Sequence, residues 1–191
     1  VFAVAAAAVV LAYVGFQSYE HWREMPEGSN LNPGDASQTE IASSGFVKGA
    51  LAQLTRASEV VWSSDSERRP NPGDSLPPGS LQLETGLAQV EMLSGATVVV
   101  EGPADFSLSS PDRIYLAKGK LKVTLPPGVE DFKVEMPKGV VIDLGTAFGL
   151  IVLENGAAEV SVFEGKVLYE GKDMDPAVAF RELNAGDSIS I

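Results

Sequence analysis

The residues with the clearest chemical potential in this chain form the run Ile142-Asp143-Leu144-Gly145-Thr146. A carboxylate, a glycine and a hydroxyl at this spacing could form a phosphate loop, in which backbone N–H groups and the hydroxyl hold phosphate and the Asp helps to hold Mg²⁺. The same residue types also build a tight corner. Asp143 and Thr146 can bond backbone groups across a turn, and Gly145 can adopt a left-handed conformation that is costly for a residue with a Cβ.

We favour the corner because the surroundings of the run do not suit a nucleotide site. The phosphate-loop sequence is similar to that of actin and Hsp70-type ATPases, which place it near the start of a domain about twice this length. Those folds also need helices and a second Asp-Gly-Gly element. Neither is found in the 46 residues that follow Gly145. No ATP or Mg²⁺ dependence is therefore expected.

Other catalytic chemistry has few candidate residues. The chain has no cysteine and one histidine, His21, which follows an apolar segment, and it contains no G-x-S-x-G motif. The acidic pairs Glu182 with Asp187 and Asp173 with Asp175 are more simply solvated loop charges than a glycosidase dyad. The sequence thus predicts a protein that is not an enzyme, without catalytic residues, a cofactor or a metal.

Charge argues against one class of partner. The chain has 26 acidic residues against 14 Lys and Arg, a formal net charge of −12. Such a surface repels phosphate backbones, so a nucleic-acid partner is not expected. Hydrophobic residues make up 45% of the 191, which is enough for one medium domain with a core.

The first segment is apolar and uncharged from Val1 to Tyr19. As a helix it would be roughly 28 Å long, close to the thickness of a bilayer core, and Tyr13, Tyr19 and Trp22 suit an interfacial aromatic belt. The sequence predicts a transmembrane anchor over 1–24. A signal-peptide core and a buried helix are the alternatives. Pro, Gly, Ser and Asn then indicate a linker over 25–44, followed by a single domain over 45–191.

Beyond Gly45 the pattern is that of short strands broken by Gly and Pro, with apolar residues at alternate positions. A glycine, a polar residue and an alternating strand recur at Gly79, Gly119, Gly165 and Gly186. The fold class predicted is all-β, a short-stranded twisted β-solenoid or roll, or a sandwich. The recurring glycines could mark one shared corner of successive coils or simply the ends of hairpins. The candidate strands are 50–55, 59–62, 80–83, 88–92, 97–100, 105–108, 113–117, 120–124, 132–135, 140–144, 148–153, 159–163, 166–169, 178–183 and 188–191.

These blocks resemble, in order, the FecR domain. The matching stretches include the Asp-Leu-Gly-Thr corner with a following Phe, the segment Val-Phe-Glu-Gly-Lys-Val, and a Glu-Gly-Pro variant similar to that of planctomycete-type members. The chain departs from the family at Met136-Pro137 and at Ala147, which lie beside the corner. The residues that carry the resemblance are Asp143, Leu144, Gly145, Thr146, Phe148, Phe163, Glu164, Gly165, Glu101, Gly102 and Pro103.

Phe148 and Phe163 are expected to be large core anchors, each stabilising by ~2–3 kcal/mol. A bulky β-branched side chain at Gly145 is expected to clash with Phe148 or a neighbouring coil. The motif is therefore interpreted as a corner with a structural role in the fold or a role in protein interaction, and not as a reactive site.

The resemblance implies an extracytoplasmic signal-relay module that regulates a sigma factor by protein–protein interaction. Complete family members bind the sigma factor through a cytoplasmic segment. The best-studied ones receive their signal from an outer-membrane TonB-dependent transporter. The implied location is the inner (plasma) membrane, single-pass, with the C-terminal domain in the periplasm. The alternative is an envelope-anchored scaffold that binds glycan or cell-wall polymer and has no transcriptional role.

Overall fold

The computed structural model describes residues 48–172 and 180–191, and every regular element in these ranges is a β-strand. The predicted all-β class is thus confirmed for the described part of the chain. The expected anchor over 1–24 and the linker over 25–44 lie outside the described residues. Among the residues that are described, no helix has the length and apolar character needed to cross a membrane.

Twelve strands make up this part of the chain. Their bounds are β1 Ala52–Trp62, β2 Ser75–Leu76, β3 Gly79–Met92, β4 Thr97–Ser110, β5 Arg113–Thr124, β6 Phe132–Met136, β7 Gly139–Asp143, β8 Ala147–Val152, β9 Ala158–Glu164, β10 Lys166–Gly171, β11 Arg181–Asn184 and β12 Ser188–Ser190.

Alternation explains which face of each strand is buried. In β8, for example, Phe148, Leu150 and Val152 are buried while the residues between them are half-exposed. Successive side chains of a strand point to opposite faces, so this period of two gives each strand one core face. The buried side chains of all the long strands belong to one hydrophobic cluster.

The strand pairing is dominated by antiparallel neighbours. β2, β1, β3, β4 and β5 follow one another as an antiparallel meander. Beyond β5 the sheet divides: residues 113–115 of β5 pair in parallel with β6, and residues 119–124 pair antiparallel with β8. The β6 branch continues through β7 and β10 to β11, and the β8 branch through β9 to β12.

Chain length shows that this sheet folds back on itself. β7 ends at Asp143. The pairing of β7 with β6, and of β6 with β5, places Asp143 level with the start of β5. β8, in contrast, begins at Ala147, which pairs with Thr124 at the end of β5. A straight β5 of 12 residues would separate these levels by ~37 Å. The three residues between β7 and β8 can span roughly 14 Å. The two ends of β5 must therefore approach each other, and the sheet bends across its middle.

The bend divides the sheet into two half-sheets that share one core. Half-sheet I consists of β6, β7, β10 and β11 with residues 79–83, 104–108 and 113–118 of the long strands. Half-sheet II consists of β2, β8, β9 and β12 with residues 52–58, 87–92, 97–101 and 119–124. Among the described strands the sheet is mixed, with one parallel pair, β5 and β6, and antiparallel neighbours elsewhere.

The solenoid alternative is wrong, because stacked coils would require parallel neighbours throughout. The four recurring glycines do not share one corner: Gly79 starts β3, Gly119 lies inside β5, Gly165 separates β9 from β10, and Gly186 lies between β11 and β12. Four pairs of predicted short strands are single long strands, β1, β3, β4 and β5, and the predicted breaks in β3, β4 and β5 lie at the bend. The two-residue strand β2 was not predicted.

Three glycines allow the long strands to cross the bend side by side. We call Gly86, Gly102 and Gly119 the glycine seam. A Cβ on Gly86 would lie 2.3 Å from the backbone oxygen of Glu59, and one on Gly119 would lie 2.4 Å from the Cβ of Ala104. At Gly102 the nearest backbone atoms, in Thr85, would be 2.9 Å away. No side chain fits at these close backbone approaches.

Candidate functional site

The Asp143–Thr146 motif connects the two half-sheets. β7 belongs to half-sheet I and β8 to half-sheet II, and residues 144–146 carry the chain from one to the other. Gly145 has a φ of +94°, in the left-handed region that favours glycine. The predicted conformation of Gly145 is thus confirmed, and the motif is a crossing point between half-sheets.

The side chain of Asp143 holds this corner from the inside. Its Oδ1 accepts hydrogen bonds from the backbone N–H of Gly145, at 3.1 Å, and from the hydroxyl of Thr146. Both Asp143 and Thr146 are buried, with exposed fractions of 0% and 4%. The polar groups of the motif therefore bond one another and the backbone of their own turn, as in an Asx turn.

Burial also changes the acidity of Asp143. It raises the pKa of the carboxyl to about 6, although the hydrogen bonds from Thr146 and from the backbone N–H groups of Gly145 and Thr146 act in the opposite direction. The second oxygen, Oδ2, is shielded from solvent and has no hydrogen-bond partner among the described residues. A proton on Oδ2 removes the cost of an ionised oxygen in an apolar environment.

A second corner packs directly against the first. Gly165, with a φ of +73°, connects β9 in half-sheet II with β10 in half-sheet I. A Cβ on Gly165 would lie 2.5 Å from Cγ2 of Thr146 and 3.0 Å from the backbone oxygen of Gly145. The N–H of Leu144 also donates to the oxygen of Lys166, at 3.2 Å. We call residues 143–146 with 163–165 the double corner.

The two phenylalanines of the motif have different environments. Phe148 is fully buried in the core, as predicted. Phe163 is half-exposed, so the prediction that it is a core anchor is wrong. Its ring covers Gly149 on the outer face of half-sheet II, where a Cβ on that glycine would lie 3.0 Å from the Phe163 ring. Phe163 and Glu164 are the last two residues of β9, and the turn at Gly165 follows them.

Lys122 completes this outer cluster. Its Nζ lies 5.8 Å from the centre of the Phe163 ring, within reach of a cation–π interaction. Desolvation by burial lowers the pKa of the Lys122 ammonium. An aromatic ring over a strand glycine, with a cation above it, was not predicted. The sequence signal that could have predicted this arrangement was Gly149, inside the candidate strand 148–153. A glycine in a strand leaves a gap that a large neighbouring side chain can cover.

The Glu-Gly-Pro motif lies away from the double corner. Glu101, Gly102 and Pro103 are in the middle of β4 at the bend, and the Gly102–Pro103 peptide bond is cis. Glu101 forms an ion pair with Lys120 at 3.0 Å, and Lys120 pairs with Ile151 near the end of β8. The double corner is at the start of β8. One strand of six residues, ~17–20 Å, separates the two motifs.

The acidic pairs considered for catalysis have other partners. Glu182 forms an ion pair with Lys166 at 2.9 Å, and Asp187 accepts the N–H of Asn184 at 2.9 Å. Asp173 and Asp175 lie outside the described residues. Across residues 48–172 and 180–191, no cluster of three or more His, Cys, Asp or Glu could hold a metal ion.

The glycine at the first corner has space around it for a Cβ. A Cβ on Gly145 would lie 3.7 Å from the oxygen of Val129 and 3.9 Å from Cγ of Glu130, which is ordinary contact. A Cβ on Gly145 would thus have no atom of Phe148 within 4 Å, and the clash expected of a bulky β-branched side chain stays a prediction. The crowded glycine is Gly165.

Comparison with known proteins gives one family. Residues 88–168 match the family described as FecR protein. Two crystal structures of a candidate anti-sigma factor from Parabacteroides distasonis ATCC 8503 are similar to the chain, at 16% and 17% sequence identity with TM-scores of 0.49 and 0.47. The alignments cover 60% and 59% of this chain and 59% of each of those chains. No curated protein matches. The matched segment contains the double corner and the Glu-Gly-Pro motif, so the predicted resemblance to the FecR domain is confirmed over residues 88–168.

Proposed function

We propose that this chain belongs to a membrane-anchored regulator of a sigma factor and acts by protein–protein interaction. The observation that carries the proposal is the FecR match over residues 88–168, which includes every motif residue of the double corner. In this proposal residues 1–24 anchor the protein in the inner membrane. The domain that follows lies in the periplasm and relays a signal to a cytoplasmic segment that binds the sigma factor. A signalling domain of an outer-membrane TonB-dependent transporter would be the partner outside.

The geometry of the double corner supports a mechanical role for the motif in this relay. Asp143 and Thr146 are buried and bond their own turn, so they are not available to a partner protein. Because Gly165 has no side chain, the second corner approaches Thr146 closely, and the two corners are in direct contact. The motif holds half-sheets I and II in one arrangement. The outward side chains of the half-sheets would then be the contact surfaces.

One experiment tests the sigma-factor assignment. The full-length protein, tagged and extracted from membranes with mild detergent, should co-purify with a sigma factor identified by mass spectrometry. Its deletion should change transcription from promoters that depend on that factor. Recovery of no sigma factor, together with sedimentation of the protein on insoluble peptidoglycan, would favour the envelope scaffold and contradict the proposal.

A second experiment tests the orientation separately. Protease added to intact spheroplasts should remove residues 45–191 and leave a protected anchor. Digestion that requires lysis of the spheroplasts would contradict a periplasmic domain.

A further inference from the structure

An open cleft of ≈560 Å³ lies at the β2 end of the sheet, far along the strand order from the double corner. Its volume is within the usual range for ligand sites. The apolar part of the lining includes two buried side chains, Ala50 and Leu76, and two prolines, Pro70 and Pro77. The polar part consists of Lys48, Arg68, Arg69, Asp74 and Ser75.

The three cations of this cleft are unusual in so acidic a chain. Among residues 48–172 and 180–191, no carboxylate lies within salt-bridge distance of Lys48, Arg68 or Arg69. The carboxylate of Asp74, which also lines the cleft, accepts the N–H of Asn71 at 2.8 Å and belongs to that turn. The cleft therefore has an excess of positive charge on a protein whose net charge is −12.

Both arginines are partly fixed by the backbone. Arg68 Nη1 donates to the oxygens of Pro77 at 3.3 Å and Pro78 at 3.2 Å. Its guanidinium also lies over Gly79, 3.3 Å from where a Cβ would be. Arg69 Nη2 donates to the oxygen of Ser64 at 3.2 Å. A guanidinium has five N–H donors, so each side chain retains donors for a ligand, and less side-chain entropy is lost when it binds.

The cleft also borders the terminal strand of the sheet. β2 pairs with β1 and ends the strand order, and Ser75 and Leu76 of β2 line the cleft. Leu76 gives this part of the cleft a buried apolar side chain, against which an apolar group of a ligand can rest. Cations at the rim of such a site select carboxylates, which match the guanidinium fork in a bidentate manner.

We propose that this cleft binds an acidic peptide segment. Its carboxylates pair with Lys48 and Arg69 and with the N–H groups that Arg68 retains. Its apolar side chains rest on Ala50, Leu76 and the two prolines. The apolar lining favours a peptide over a sugar acid or a phosphate polymer. This inference does not depend on regulation of a sigma factor, because the binding is measured directly.

The test uses the full 191-residue chain in detergent micelles. The probe is a fluorescein-labelled peptide of alternating Glu and Val, and the control probe has Gln in place of every Glu. Fluorescence anisotropy should show saturable binding of the Glu peptide that weakens with NaCl, and at least ~10-fold weaker binding of the Gln peptide.

Matched variants locate the site. Lys48→Gln with Arg69→Gln should weaken binding of the Glu peptide by about tenfold. Arg56→Gln, an equally exposed charge on β1 outside the cleft, should change it by less than about twofold. Arg68 is left intact because it also supports the loop at Pro77 and Pro78. Equal melting temperatures of the variants would show that the folds are comparable.

Three results would overturn the proposal. The first is the absence of saturable binding at millimolar peptide. The second is an equal loss of binding in Arg56→Gln and in the double variant, which would indicate a general charge effect. The third is binding of oligogalacturonate or inorganic polyphosphate in the cleft without binding of the Glu peptide, which would assign the cleft to a sugar acid or a phosphate polymer.

Discussion

The glycine seam and the double corner both carry the chain from one half-sheet to the other, but by different physical means. At the seam, long strands cross the bend, and their backbones approach so closely that glycine is needed for space. At the double corner, the chain leaves one half-sheet through a short turn that buried side chains hold in shape. The seam thus depends on close approach of backbones and the corner on side-chain hydrogen bonds.

The comparison separates two uses of glycine. Gly102 has no positive φ but no room for a Cβ, whereas Gly145 has a positive φ and open space around it. Gly86 and Gly165 combine a positive φ with crowding. A family motif can therefore contain a glycine that tolerates substitution better than a glycine outside the motif.

The largest effect is expected at the seam. The new Cβ in Gly86→Ala would meet backbone oxygens of Glu59 and Ser58 at 2.3 and 2.5 Å, so β1 and β3 would have to separate. We expect a loss of at least ~4 kcal/mol, enough to prevent folding of a marginally stable domain. Far-ultraviolet circular dichroism and denaturant titration measure this. The control, Gly128→Ala, has a φ of +87° and no atom within 4 Å, and should lose about 1–2 kcal/mol. Similar losses in both variants would contradict the close-approach explanation.

At the double corner, Gly165→Ala should be more costly than Gly145→Ala. The methyl at Gly165 would meet Thr146, whose hydroxyl is bonded to Asp143 and cannot rotate away freely, so we expect a loss of ~3 kcal/mol. Gly145→Ala should lose about 1–2 kcal/mol through its backbone conformation alone.

A double-mutant cycle sharpens this expectation. Thr146→Ser removes Cγ2 and retains the hydroxyl, so it should reduce the cost of Gly165→Ala by at least ~1 kcal/mol. Denaturant unfolding of the four proteins gives the coupling. Additive losses would show that the contact between the two corners does not limit substitution.

The corner should also respond to pH, because a buried carboxyl holds it, whereas the seam depends on close backbone approach. The folded pKa of Asp143, about 6, exceeds the unfolded value near 3.8. Its contribution to stability is therefore fully present below pH 3.8 and is lost as the pH rises through 6, by ~2–3 kcal/mol in total.

Asp143→Asn removes this titration. The unfolding free energy of the wild type minus that of the variant should fall between about pH 4 and pH 7, and then level off. Urea titrations at several pH values measure it. A difference that stays constant, or rises with pH, would show that Asp143 is ionised in the folded protein.

The smallest effect is expected on the outer face. Phe163→Ala removes a half-exposed ring that covers Gly149, so we expect a loss of ~1 kcal/mol. Phe148→Ala, in the core, should lose about 3–5 kcal/mol. Thermal unfolding of both variants tests the order. If Phe163→Ala were as costly as Phe148→Ala, the outer cluster with Lys122 would be a second core.

The sequence predicted the strands and the corner well, because both are local. Alternating apolar residues identified the core face of β8, and Asp143, Gly145 and Thr146 showed the turn by their residue types. The bend was not predicted. Gly86, Gly102 and Gly119 each read as the end of a strand, since one sequence cannot show that they lie side by side in three neighbouring strands. The exposure of Phe163 was missed for a similar reason: its cover of Gly149 depends on the register between β8 and β9.

The division of pairing along β5 has a consequence for the order of folding. β3, β4 and β5 form hairpins between neighbours in sequence, whereas β1 pairs with β3 across β2, and β6 and β8 both need a completed β5 edge. Contacts that are close in sequence form with less loop entropy, so we expect the meander to nucleate and β5 to act as the template for both branches. In pulse-labelled hydrogen exchange, amides of β3 and β4 should gain protection before those of β9 and β10. A substitution that weakens β5 would slow folding, while one in β12 would mainly speed unfolding.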